Sequence, residues 1–300
     1  MPPVGRSGGG CFQDPREQRV DGGHQRVRQA GRVGSRPWID RVNRRTLAGM
    51  TEAQAALRAF LDDHRRVLVL TGAGCSVPSG IPDYRGPDGT WKHSRPMTLA
   101  QFTGSLSARQ RYWAGSLLGW PRVRDARPNP AHQALAELHK LGLLQAVVTQ
   151  NVDGLHQESG LPDDKVIELH GNTRRIRCLA CREVFPVDDI RQRLAAGDEA
   201  PECGCGGFLK PDTISFGQAM PAPEVQKSIA LSRGSDFFMV VGSTLLVQPA
   251  AHMPYYAKDN GAFLAIVNLS ETPCDNMCDV LIRDKAGRVL QDIVAEVGKR

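Results

Sequence analysis

Four short apolar runs without a charge are spaced along the chain: 67–70 (VLVL), 144–149 (LQAVVT), 237–241 (FFMVV) and 263–267 (FLAIV). A fifth, 166–169 (VIEL), is broken only by Glu168. Runs this short and this apolar read as strands buried on both faces, the habit of a parallel sheet covered by helices. Helical patterns lie between them. Thr51 and Gln54 form a capping box opening the amphipathic stretch 55–64, and another helix is expected near 131–141. The alternation predicts an α/β fold, a Rossmann-like parallel doubly wound sheet. Ligands of such sheets sit beyond the carboxyl ends of the strands. The informative residues fall there: 72–74, 150–153, 242–244 and Asn268. Taken singly, each could be a helix cap or a turn; four together mark a ligand crevice.

The first of those ends reads TGAGCSVPSGIPDYRG (71–86). A strand that runs into a glycine turn is the usual approach to a nucleotide phosphate. This turn has neither the Lys-Ser/Thr pair of a P-loop nor GxGxxG, and it adds Asp83, Tyr84 and Arg85. TQNVDGLH (149–156) and ELHGN (168–172) each end a strand. Asn151 and Asp153 suit ribose hydroxyls or a held water. His170 is the natural base because its pKa lies near neutrality, although a lone His is more often a structural hydrogen bonder. GST (242–244) offers backbone N–H groups and hydroxyls to a phosphate or ribose. Asn268 suits the adenosine end, or equally a turn.

Eight cysteines stand at 11, 75, 178, 181, 203, 205, 274 and 278. Four of them, Cys178-x2-Cys181-x21-Cys203-x-Cys205, have the spacing of a structural zinc site of four thiolates with no open position. The second knuckle is one residue short of CxxC; the alternative is loose thiols of which only some coordinate. Such a closed site acts as a folding staple, not as a catalyst. The cluster also favours metal over disulfides, and a reducing compartment.

The net charge of +6 is local. Residues 1–49 hold ten Arg against Asp14, Glu17, Asp21 and Asp40, which leaves 28 basic and 28 acidic residues in the remainder. The basic pI therefore says little about what the folded part binds, and no direct nucleic-acid contact is expected. The longest apolar stretch, 237–247, is too short and too interrupted to span a bilayer. Residues 1–49 read as a disordered Arg/Gly-rich tail, with ordered structure starting at Met50; one reading is that the natural chain also begins there. They contain no apolar core of a secretory signal. The cytoplasm is the expected location, or the mitochondrial matrix if the Arg-rich tail is a transit peptide, against which its four acids argue.

Taken together, GAGCSVPSGIPDYR (72–85), TQNVDGLH, the HG of ELHGN, the cysteine knuckles, LKPD (209–212), FG (216–217), GST and VN (267–268) resemble the sirtuin family of NAD-dependent protein-lysine deacylases. The resemblance runs from Met50 to the C-terminus. RQRYWAGSLLGWP (109–121) and PNPAH (128–132) look most like the class II, sirtuin-four-like branch. It implies one catalytic domain over 50–300, with a helical insertion at 86–128 and a small zinc module at 172–213. It also implies that the cofactor is cleaved, not reduced. The glycine turn would approach the pyrophosphate, while the segment through Arg85 presses nicotinamide into a buried pocket. An acyl-lysine carbonyl oxygen attacks ribose C1′ as nicotinamide leaves, and His170 is the base that activates a ribose hydroxyl. The products are free lysine, nicotinamide and O-acyl-ADP-ribose. Gln150, Asn151 and Asp153 would hold the nicotinamide ribose and an ordered water. The wider NAD set implied by the resemblance is Gly72, Ala73, Gly74, Ser76, Ile81, Asp83, Tyr84, Arg85, Trp91, Val152, Gly242, Ser243, Thr244, Asn268, Leu269, Ser270 and Ala286. Residues 214–217 would lie along the substrate backbone.

Two departures stand out. Tyr112 is followed three residues on by Gly115, so the Tyr/Arg pair that reads acidic acyl chains is absent, although Arg109 and Arg111 are nearby. Gln218 replaces the usual acid after FG. The competing readings are an ADP-ribosyltransferase or a long-chain or lipoyl deacylase using the same site, and a zinc-ribbon binding module, whose only basic cluster is Arg174, Arg175 and Arg177. A dehydrogenase is disfavoured by the missing GxGxxG and ribose-binding acid.

Overall fold

The computed structural model describes residues 51–297, apart from 52–53, 56, 59–60, 62–65, 85–88 and 90–95. The expected tail at 1–49, and with it Arg85 and Trp91, lie outside the described residues. Thr51 and Gln54 make the reciprocal bonds of the expected capping box, 2.8 and 3.3 Å long.

The main sheet contains β1 (Val67–Thr71), β2 (Leu144–Thr149), β3 (Val166–Glu168), β7 (Phe237–Val241), β8 (Phe263–Val267) and β9 (Val280–Ile282), all parallel, in the order β3-β2-β1-β7-β8-β9. β1, β7 and β8 are buried along their whole length. Alternate residues serve opposite cores. Val67, Val69, Phe237 and Met239 face one layer, and Leu68, Leu70, Phe238 and Val240 the other. Each such side chain fully buried contributes about 1.5–3 kcal/mol. Helices α3 (Pro130–Lys140) and α8 (Ala286–Val297) pack together over the first layer, and α6 (Ala222–Gly234) and α7 (Met253–Asp259) over the second. The chain winds β1-β2-β3 to one side and β7-β8-β9 to the other, so the switch point lies between β1 and β7.

A second, antiparallel sheet has the order β5-β4-β6, from β4 (Gly171–Cys178), β5 (Val184–Pro186) and β6 (Leu209–Thr213). Only residues 169–170 separate β3 from β4. Helix α5 (Val187–Ala195) packs on β4. The expected insertion contributes α1 (Leu99–Gly104) and α2 (Leu106–Asp125), each opened by a side-chain cap, from Thr98 and Ser105. Trp113 of α2 completes a small core with Ile176, Cys178, Ile190, Leu194 and Leu209. Among the described residues, no helix is long and apolar enough to cross a membrane.

Candidate active site

The turn after β1 and the turn after β7 are pressed together at the switch point. Gly72 N–H donates to Val241 O (3.0 Å) and Gly74 N–H to Gly242 O (2.9 Å). A Cβ on residue 72 would sit 2.7 Å from Gly242 O, and one on residue 242 would sit 2.4 Å from Cys75 N, at a φ of +62°. Both positions therefore require glycine. The amides of Gly72, Gly74, Cys75 and Ser76 all donate inside the protein. The turn thus provides close backbone approach rather than a ring of free N–H donors, which is why it lacks P-loop spacing. Ala73 is half-buried and Gly74 exposed at the mouth of the crevice.

Beneath the turn lies a buried polar layer. Ser76 Oγ donates to Asp153 Oδ2 (2.7 Å), Asn151 Nδ2 donates to Gly72 O (3.1 Å) and Ser76 Oγ (3.0 Å), and Asp153 Oδ1 accepts from Leu155 N–H (2.9 Å). Thr71 and Thr149, facing each other across β1 and β2, are bonded at 2.8 Å. Asn151 and Asp153, expected at the ribose, spend these groups on holding the turn in shape. Val152 accepts from Thr173 N–H and Oγ1. Gln150 instead reaches across the crevice, its Nε2 donating to Ser243 Oγ at 2.8 Å, so the β2 and β7 ends are tied side chain to side chain.

His170 sits half-buried in the two-residue link from β3 to β4. Its Nδ1 lies 2.9 Å from Gln150 O. A carbonyl only accepts, so Nδ1 carries the proton and Nε2 keeps its lone pair. Burial lowers the pKa of this ring, with the Gln150 bond opposing, so the neutral form is favoured. A neutral imidazole with a fixed tautomer at the strand ends is the arrangement of a general base.

The family profile described as "Sir2 family" matches residues 72–249, more than half of the chain and all of this crevice. The chain belongs to the Sir2 family. A relative named NAD-dependent protein deacetylase 1, from Bradyrhizobium diazoefficiens, is 42% identical over 236 residues, covering 78% of this chain and 92% of its own. A Sir2 variant solved with deacetylated p53 peptide and 3′-O-acetyl ADP-ribose is 34% identical with a TM-score of 0.73, covering 81% of this chain and 97% of that one. A Sir2 structure with p53 peptide and NAD+ is also 34% identical, with a TM-score of 0.72 and coverages of 80% and 96%.

The other residues singled out in this Sir2 chain divide into two groups. Ile81, Asp83 and Tyr84 follow the glycine turn, with Tyr84 the most exposed of them, and Ser243 and Thr244 continue the turn after β7. At the end of β8, Asn268 is buried and its Nδ2 donates to Ser270 O (2.8 Å), a turn-forming bond; Leu269 is exposed. Ala286 opens α8 and packs against the core.

The four knuckle cysteines converge. Cys178 and Cys205 sulfurs are 3.6 Å apart, Cys181 and Cys203 sulfurs 3.7 Å, and all four lie within 4.8 Å of one another. A tetrahedral zinc with about 2.3 Å Zn–S bonds has edges of about 3.8 Å, so the donor set fits zinc despite the short second knuckle. At Cys178, burial opposes ionisation, but backbone N–H groups of Cys181 and Ala180 and the neighbouring thiols bring it down to about 7. The metal would cross-link the β4–β5 turn to the segment before β6.

Two groupings escaped the sequence reading. One is an ion-pair chain joining the sheets: Arg175 bonds Glu168 (2.7 Å) and Asp212 (2.7 Å), and Arg177 bonds Asp212 (2.6 Å). Burial works against the Asp212 charge, yet the bonds from Arg177 and Arg175 hold its carboxyl below the usual range. Arg174 pairs with Glu158, so all three arginines weighed as a basic face serve the fold. The other grouping is Cys75, His132 and His156, buried behind the glycine turn. Burial raises Cys75 to about 12 and lowers His132 to about 4 and His156 well below its usual value, so the trio is uncharged near neutrality. The terminal histidines of PNPAH and TQNVDGLH were the available signal, but nothing in their spacing places them together.

Proposed function

We propose that the chain is an NAD-dependent protein-lysine deacetylase in which His170 is the general base. The observation that carries this is the His170 geometry: Nδ1 pinned by Gln150 O and Nε2 left basic, at the mouth of the crevice closed by the 72–76 and 242–244 turns. NAD, when bound, supplies the electrophilic ribose carbon and takes up the acyl group. The chain's own residues supply the rest. The glycines admit the cofactor's backbone, Gln150 and Ser243 fix the width of the crevice, and His170 Nε2 takes a hydroxyl proton. The 72–83 segment, Gln150 to Asp153, 242–244 and the Asn268–Ser270 turn form the proposed NAD site, and the four knuckle cysteines the proposed zinc site.

Neither arginine weighed for an acidic acyl chain joins Tyr112, whose phenol bonds Thr213 and is pushed up to about 12 by burial. Arg109 is stacked on Phe208 at 3.7 Å, on the zinc-module side, and Arg111 is exposed. This supports acetyl over succinyl lysine. The strings forming α2 and the head of α3 support placement beside the class II branch, and the thiolate knuckle supports a reducing cytoplasm. The proposed domain is one catalytic unit with the 86–128 and 172–213 insertions.

The test is the full chain with NAD and an acetyl-lysine peptide, following nicotinamide and O-acetyl-ADP-ribose by mass spectrometry. His170→Ala should abolish turnover while keeping fold and zinc. Near-normal turnover in that variant would exclude the base role, and nicotinamide release that ignores the acyl peptide would favour ADP-ribose transfer.

A further inference from the structure

Cys75, His132 and His156 take no part in the reaction above. They come from three separate segments: the turn after β1, the first turn of α3, and α4 (Leu155–Glu158). Their exposures are 1%, 0% and 2%. Each offers a ligand atom, and the three atoms lie within 4.8 Å of one another. The imidazole centroids are 4.9 Å apart.

Each ring is anchored through one nitrogen only. Asn129 N–H donates to His132 Nδ1 at 3.3 Å, and His156 Nε2 lies 2.9 Å from Thr71 Oγ1. The remaining nitrogens, His132 Nε2 and His156 Nδ1, are buried with no hydrogen-bond partner. Buried polar atoms are seldom left so, since each orphan costs about 1–3 kcal/mol. Here two orphans and a thiol converge from different parts of the chain.

We propose that Cys75, His132 and His156 form a second metal site, a CysHis2 set for a thiophilic divalent cation of the zinc type. With Zn–N bonds of about 2.0–2.1 Å and a Zn–S bond of about 2.3 Å, tetrahedral edges are about 3.3–3.6 Å. The three atoms then need to close by little more than about 1 Å, and an ion bonded at that range needs no water-sized void.

The proton balance is simple. The Cys75 thiol proton leaves to solvent. The His132 proton shifts from Nε2 to Nδ1, and the Asn129 amide gives up its long bond. The His156 proton stays on Nε2, facing Thr71 Oγ1. A divalent ion with one thiolate leaves one positive charge, and Asp153, near enough for its charge to act on both Cys75 and His132, opposes it. The ion would tie the glycine turn to α3 and α4, clamping the floor of the crevice from behind. It differs from the knuckle site in having three ligands, all of them buried.

The test takes the full 300-residue chain with zinc in its knuckles and adds zinc, or Co(II) under anaerobic conditions. Metal is counted after gel filtration. The expected count is about two metals per chain. The second should show the charge-transfer band of one thiolate and release about one proton on binding. Cys75→Ser and His156→Gln should each return the count to about one while keeping the knuckle metal. A wild-type count of one overturns the proposal. So does a second metal that survives both substitutions, or one that shows no thiolate band. If Cys75→Ser does not fold, His156→Gln and the wild-type Co(II) spectrum decide.

Discussion

Gly171→Ala tests how His170 is held. Gly171 has a φ of +74°, and a Cβ there would lie 1.9 Å from Asp212 O and 2.9 Å from Asp212 C. Carbon needs about 3.5 Å from such neighbours, so β4 and β6 must part by more than 1 Å where Gly171 pairs with Thr213. The left-handed conformation costs alanine about 1–2 kcal/mol. Forcing a methyl against backbone adds about 1–3 kcal/mol. The sum is about 2–5 kcal/mol, or about 4–20 °C in Tm for a domain of this size. The strain falls on the residue next to His170, and a displacement of about 1 Å in a catalytic group costs on the order of 100-fold. The assay pairs a thermal melt with kcat/KM for acetyl-peptide, measured well below the melting range. A variant that melts within about 2 °C of wild type with kcat/KM within about twofold would refute the reasoning.

Four further outcomes are expected, besides the loss of turnover in His170→Ala. Cys178→Ser should lose zinc and thermal stability together, read by metal content and melting; a variant that keeps both would remove the staple. Because burial lowers the His170 pKa, its neutral form persists below the ordinary histidine value of about 6.5. The acidic limb of kcat/KM should therefore lie under that value, and a limb above it would contradict the burial argument. With the Cys75–His132–His156 pocket free of metal, His132 and His156 are also depressed, so the unfolded chain binds more protons than the folded one below pH 6.5. Stability should be full above pH 6.5 and decline as pH falls toward about 4, which denaturant melts across that window would show. Asp212→Ala removes the ion pair of Arg177 and leaves Arg175 with Glu168 alone, and should cost about 3 kcal/mol, given the partial burial of the network; a midpoint unchanged in urea would discount it.

The main sheet was legible because its central strands are short, apolar and buried on both faces; 67–70, 144–149, 237–241 and 263–267 were located nearly to the residue. β9 escaped because three residues at a sheet edge leave no pattern, and Leu281 faces outward. The second sheet escaped for a different reason: GNTRRIRC of β4 is half polar, its arginines being bound to Glu168 and Asp212 across the sheets. Spacing along the chain carries no record of such partners. The strand-end residues were singled out by position alone. Their bonds were not, which is why Asn151 and Asp153 looked like ligand contacts and proved also to be braces. Cys75 and His132 stand 57 residues apart in sequence yet share one pocket of the core, a proximity that only the winding of β1 and α3 creates.

The two-residue link between β3 and β4 has a mechanical meaning. His170 is itself the joint between the parallel sheet and the antiparallel one, and Ile214 N–H donates back to His170 O at 2.9 Å on the return path. A lever moves least at its fulcrum. Were the knuckle module to rock against the sheet, the cysteines would swing through a wide arc while the imidazole at the joint barely turned.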